Sequence, residues 1–272
     1  MFSGCVPSVE DLYNFHAENF KANNVVLGAS GVNQSGLVSG AEPMLASLSG
    51  DASKTDPSIY GGGEFSQYTN DGSAHVFVGF GVNGGWKDMK RSCVQTVISY
   101  LMGAGASFSS GGPGKGMHSR LYRNVLQGAH HLGISGASYE ISMHDEQGFA
   151  GVLLSGTSDN ASKMADLAVK ELIALGSGAI TEEELNRAKA TAIASTKMIL
   201  ETPHIISEDL AKNYATWKKT PSVDEFAAMV GQVSKADIEA ELKAMIATPL
   251  TYGAIGKVNK FPTYRTIESA FK

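Results

Sequence analysis

Cysteine is almost missing from this chain of 272 residues: there are two, Cys5 and Cys93, with no C-x-x-C spacing. A disulfide framework is unsupported on that count, and a reducing compartment is expected. Long hydrophobic runs are missing as well. The best apolar stretches, such as Phe149–Leu154, have the length of a strand, whereas a membrane helix needs about 18 apolar residues or more. Basic excess is missing too: 22 lysines and arginines stand against 27 aspartates and glutamates, a formal charge of −5. Nucleic-acid binders normally show the opposite balance; this one suits a basic partner. Met1–Phe20 has no basic segment leading into an apolar one and no arginine, so it reads neither as a secretory signal nor as an obvious transit peptide.

What is present is an ordinary globular composition with one surplus. Hydrophobic residues make up 43% and charged residues 18%, enough apolar content and length for a sizeable core in one large or two modest domains. Glycine is the surplus, at 31 of 272 residues, about 11% against the usual ~7%.

The periodicity predicts an α+β chain. Ser8-Val9-Glu10-Asp11 reads as a capping box opening a helix over Val9–Lys21. Asn24–Ala29 reads as a short strand and Ser35–Leu48 as a second helix. Ser49–Tyr60 is polar, contains Pro57, and is the best linker. Ala74–Phe80 alternates like a strand, and Lys87–Met102 carries Cys93, Val97 and Leu101 at helical spacing. Ser119–Leu126 reads as a short helix. Ala137–Met143 and Phe149–Gly156 alternate and suggest a hairpin turning at Asp145–Gln147. Helices follow over Ala161–Leu175, from the capping box at Thr181 to Leu200, over Ile205–Lys218, and over Val223–Ile246 with a break at Gly231–Ser234. A strand at Leu250–Ile255 completes the set. Strands grouped with runs of helices argue for a mostly antiparallel sheet with helices packed on one face.

The surplus glycine concentrates in one place. Residues 103–116 read Gly-Ala-Gly-Ala-Ser-Phe-Ser-Ser-Gly-Gly-Pro-Gly-Lys-Gly, with six glycines in 14 positions. A connection this long between two helices exceeds the ~4–6 residues typical of compact domains. Phosphate binding fits poorly. Gly114-Lys115 is followed by Gly116 instead of Ser or Thr, position 109 is Ser, and no strand precedes the segment. A flexible surface connection and a clamp for an extended peptide, offering backbone donors and acceptors, both remain open on composition alone.

The segment from Gly103 through Met117-His-Ser-Arg-Leu-Tyr-Arg-Asn-Val-Leu126 closely resembles the glycine-rich loop of the pitrilysin-like (M16) metallopeptidase family. The likeness is to its α-type branch, which includes the α subunit of mitochondrial processing peptidase and core subunit 2 of the cytochrome bc1 complex. Supporting matches occur in family order: Tyr60-Gly-Gly-Gly-Glu-Phe, Glu183-Glu-Leu-Asn-Arg-Ala-Lys189, Ser207-Glu-Asp-Leu210, Ser222-Val-Asp-Glu-Phe226 and Pro249-Leu-Thr-Tyr-Gly-Ala-Ile-Gly256.

The resemblance implies an M16-like layered fold. It places residues 1–50 at the end of an incomplete first domain, 51–60 as a linker and 61–272 as a complete second domain. It implies a non-catalytic subunit that binds basic presequence peptides and presents them to a β-type (core 1) partner, the zinc-bearing chain. The substrate-binding residues carried over are Gly103, Gly105, Ser107, Phe108, Ser109, Gly111, Gly112, Pro113, Gly114, Lys115 and Gly116. No cofactor is expected in this chain. A separate chain completing the first domain and cytochrome bc1 subunits are further expected partners. The expected location is the mitochondrial matrix or the matrix side of the inner membrane.

Catalytic motifs do not appear. The family's zinc signature is H-x-x-E-H, and none of His16, His75, His118, His130, His131, His144 or His204 has that spacing. His130-His131 reads as a solvated helix end, and His204 with Glu208 as a surface pair. Gly-x-Ser-x-Gly is absent. Glu182–Glu184 reads as favourable charge in a helix's first turn, or as an acidic patch for a basic peptide. Arg120 and Arg123 read as an exposed helix face.

Overall fold

The computed structural model describes residues 6–48, 50–51, 56–106 and 117–272. The chain divides into two compact units, Met1–Pro57 with Lys197–Pro221, and Ser58–Thr196 with Ser222–Lys272.

The first unit carries helices α1 (Val9–Asn19) and α2 (Gln34–Leu45). The Ser8/Asp11 capping box starts α1, and the Asn33 side chain accepts from the backbone N–H groups of Ser35 and Gly36 to start α2. Neither helix buries a residue. The strand expected at Asn24–Ala29 is not formed: a 3-10 turn covers Ala22–Asn24, and the residues after it have no strand partner among the described residues. A strand needs a neighbour for its backbone polar groups, and here that neighbour is a helix. Gly28 lies against Ser207 and Ala211 of the helix Pro203–Trp217. That helix belongs to the first unit.

The second unit is one six-stranded sheet with helices. Its strands are β1 (Gly63–Tyr68), β2 (Ser73–Asn83), β3 (Ala104–Ala106), β4 (Ile134–Met143), β5 (Gln147–Thr157) and β6 (Thr251–Gly256), in the order β1-β6-β2-β5-β4-β3. Among the described residues only β1 pairs in parallel, with β6; the other pairs are antiparallel. β4 and β5 form the expected hairpin. Its tip is tied to the turn after β2: Gly84 N donates to Glu146 O and Trp86 N to His144 O, both at 2.8 Å.

Strand alternation decides which face becomes core. Ala74, Val76, Val78, Phe80 and Val82 of β2 are buried, as are Ala150, Val152 and Leu154 of β5. Against them pack α3 (Met89–Met102), α4 (Ala161–Gly176) and α8 (Lys235–Ile246), through Val97, Ile98, Leu172, Leu175, Ile238 and Leu242. Each large side chain buried in this way stabilises the unit by about 1.5–3 kcal/mol. The opposite face is only partly covered. There Phe77 meets Phe149 edge-on at 5.9 Å, and its ring lies over Gly79 and Gly151, where a β-carbon would collide with it.

Helices α5 (Glu182–Ile199), α6 (Pro203–Trp217) and α7 (Val223–Gln232) complete the expected set. The break before α8 falls at Val233–Ser234, where a further capping box, Ser234/Asp237, starts the new helix. Three elements were not expected from the sequence: β1, β3 and α9 (Tyr264–Ser269).

Candidate functional site

The glycine-rich segment starts from a helix end and a sheet edge. Gly103 caps α3 with φ 76°, in the region that favours glycine, and its N–H donates to Ser99 O at 2.7 Å. The chain then runs into β3, whose Ala104, Gly105 and Ala106 pair with Ser138, Ala137 and Gly136 of β4. Of the eleven sequence-assigned site residues, the structure thus places Gly103 and Gly105. Ser107, Phe108, Ser109, Gly111, Gly112, Pro113, Gly114, Lys115 and Gly116 lie outside the described residues.

The outgoing end is held by buried polar groups. Gly103 O accepts from Tyr139 N at 3.1 Å. The Tyr139 hydroxyl donates to Gln95 Oε1 at 3.0 Å, Gln95 Nε2 donates to Glu241 Oε1 at 2.8 Å, and Arg91 Nε reaches Glu241 Oε2 at 2.8 Å. Burial, reinforced by the Glu241 charge, pushes the Tyr139 hydroxyl far above its ordinary pKa, so it stays a neutral donor.

The returning end comes back to the same place. Ser119 sits against Gly103 so closely that a methyl group on Gly103 would overlap its side chain. Ser119 is 7% exposed, and its Oγ has no hydrogen-bond partner among the described residues. Arg120 follows, also 7% exposed, which corrects the expected exposed arginine face. Its guanidinium donates to Ala179 O at 2.7 Å and pairs with Glu171 at 3.4 Å and Glu184 at 3.6 Å. Asn124 Nδ2 donates to both Glu171 oxygens, at 3.0 and 3.1 Å. Arg123 is about half exposed and stands 4.0 Å from Glu184. The short helix expected over Ser119–Leu126 forms at Leu121–Gln127 and is wound as a π-helix, a rare form that recurs at functional sites.

The sequence missed this arrangement because Glu171 and Glu184 lie far along the chain. Glu184 nonetheless closes the expected capping box, accepting from Thr181 N at 2.9 Å, and one carboxylate serves both roles. The acidic run is therefore divided: Glu184 faces Arg120, Glu183 pairs with Arg187, and Glu182 with Lys235.

The alternative chemistries find no support. Cys93 is buried, and burial pushes its thiol up to about 11, too high for a thiolate nucleophile at neutral pH. His130 and His131 are exposed and stand edge-on to each other at 5.9 Å. Glu208 pairs with Lys212 on the surface, and the His204 charge adds to the pull on its carboxylate. Among the described residues no group of three His, Cys, Asp or Glu side chains converges to hold a metal ion, and no helix is long and apolar enough to cross a membrane.

A six-stranded, mostly antiparallel sheet with helices packed against its buried face defines an α+β layered domain. A family model described as the Peptidase M16 inactive domain matches residues 8–192, and the chain belongs to the M16 peptidase family. Within it, the chain is similar to α-type subunits. It is 38% identical over 264 residues to the probable mitochondrial-processing peptidase subunit alpha-1 of Arabidopsis thaliana, covering 97% of this chain and 52% of that one. It is 36% identical to the mitochondrial-processing peptidase subunit alpha of Solanum tuberosum, covering 96% and 52%. It is 32% identical over 174 residues to the human subunit alpha, covering 64% and 33%. The chain thus spans about half the length of the plant relatives. Its fold is similar to a chain in the structure titled "Complex III2 from Candida albicans, Inz-5 bound", with a TM-score of 0.75 and 14% identity over 88% of this chain and 56% of that one.

Proposed function

We propose that this chain serves as a non-catalytic α-type subunit of a mitochondrial processing peptidase. In this reading residues 103–116 bind the presequence of a precursor and position it for cleavage by a zinc-bearing β-type subunit. The observation that carries the reading is the glycine-rich segment in a chain whose similarity to processing-peptidase α subunits extends over almost its full length. Glycine exposes backbone N–H and C=O groups, and contacts to an extended peptide's own backbone do not depend on its side chains. That suits substrates of varied sequence. The acidic balance of −5 favours approach of basic peptides. Zinc on the partner would activate a water and polarise the scissile carbonyl; this chain contributes binding and orientation. The location that follows is mitochondrial, on the matrix side.

A second reading is a structural core subunit of the cytochrome bc1 complex without a processing role, and the likeness to a chain of a complex III structure favours it. Native purification in mild detergent, followed by mass identification of co-purifying chains, separates the readings. A β-type zinc subunit without cytochromes supports the processing peptidase. Cytochromes b and c1 support the respiratory complex. A lone folded monomer contradicts both.

A further inference from the structure

We propose that Arg120 is a positioning residue: held by Glu171, Glu184 and the Ala179 carbonyl, it fixes the returning end of the glycine-rich segment beside Gly103. The inference rests on the reading that this segment binds presequences. Four observations lead to it. Gly103 and Ser119 touch, so the residues on either side of the glycine-rich stretch are in contact. Arg120, the next residue, is buried and makes a fork of contacts to two helices and a loop. Asn124 aims at the same carboxylate from one turn further on. The helix carrying both is wound as a π-helix.

Physical economy argues for a geometric role. A buried ion pair is a weak source of stability, because desolvation offsets most of the Coulomb gain, and its best-attested use is to specify one arrangement over others. Here two carboxylates and a carbonyl surround one guanidinium, and its planar fork suits several acceptors at once, which a lysine ammonium cannot match. What this arrangement fixes is the place where a glycine-rich chain, itself poor in conformational preference, rejoins the domain. An extended peptide bound along that segment inherits its register from the two ends. Glu171 on α4 and Glu184 on α5 therefore act through Arg120, and none of the three needs to touch the substrate.

The test uses the chain in its assembled peptidase, with a fluorogenic peptide bearing a basic amphipathic presequence. Arg120→Lys keeps the charge and loses the fork. The expected result is a KM raised about tenfold, within the range that a ~1 Å misplacement produces, with kcat within about twofold of wild type. A structural role alone would instead lower kcat in proportion to lost folded protein and leave KM unchanged, and that result overturns the proposal. Glu171→Gln preserves size and one of the two acceptors for Asn124, so it provides a second variant if Arg120→Lys folds poorly; a KM rise of the same sign is expected, and an unchanged KM overturns the proposal. Deletion of 107–116 tests the underlying reading independently. If deletion raises KM and the folded point variants do not, the positioning role fails while the reading stands; if deletion changes nothing, the reading itself fails.

Discussion

Asp237→Asn isolates the energetic weight of one helix start. Asp237 closes the capping box of α8: it accepts from Ser234 N at 2.9 Å and Ser234 Oγ at 2.6 Å, and it pairs with Lys90 Nζ of α3 at 2.8 Å. The Lys90 ammonium first, and the Ser234 hydrogen bonds next, hold the carboxyl at about 2 against 3.8 for an unperturbed aspartate. A folded pKa below the unfolded one means that the unfolded chain binds the proton more tightly. The stabilisation is therefore complete above about pH 4 and is lost as pH falls towards 2. The depression corresponds to about 2 kcal/mol at neutral pH. Partial exposure of both partners, 79% for Lys90 and 23% for Asp237, lowers the expected figure to about 1–2 kcal/mol. Urea unfolding of wild type and Asp237→Asn at pH 7, 5 and 3 measures it. The gap should be about 1–2 kcal/mol at pH 7 and 5 and smaller at pH 3. A gap that is constant across the series, or that widens as pH falls, would refute the reasoning.

Two further outcomes concern the sheet. Leu172 on α4 is fully buried in the core, and Leu172→Ala should cost about 2–5 kcal/mol in chemical denaturation; a loss below 1 kcal/mol would mean that the core seen here is not the one that limits stability. Gly151→Val places a side chain against Val78 O, the Gly79 backbone and the Phe77 ring, and should lower stability by about 1–3 kcal/mol with a visible change at Phe77 in aromatic NMR spectra.

Legibility in the sequence followed the strength of local signals. The capping boxes at Ser8 and Thr181 and the alternation through Val76, Val78 and Phe80 were readable because a few neighbouring residues set each one. β1 escaped because it is an edge strand exposed along its whole length, with no buried face to impose alternation. β3 escaped because three small residues have no pattern. The extended stretch after Asn24 looked like a strand by composition, but no strand lies beside it among the described residues. At the candidate site, the glycine-rich stretch itself was legible in the sequence, yet the groups that bring Gly103 and Ser119 together were not. Arg120 and Arg123 share a sequence spacing typical of a solvated face; only the fold brings Glu171 within reach, 51 residues away. Buried charge pairs formed between distant residues leave no periodic trace, so this half of the site required the structure.

In the proposed function, residues 103–116 position a presequence for a zinc-bearing partner. Cleavage of a presequence-bearing precursor by the assembled peptidase, with this segment intact and then deleted, tests it most directly. The account predicts that deletion sharply reduces processing while the partner keeps its full zinc content and the subunits remain associated. Undiminished processing after deletion would contradict it.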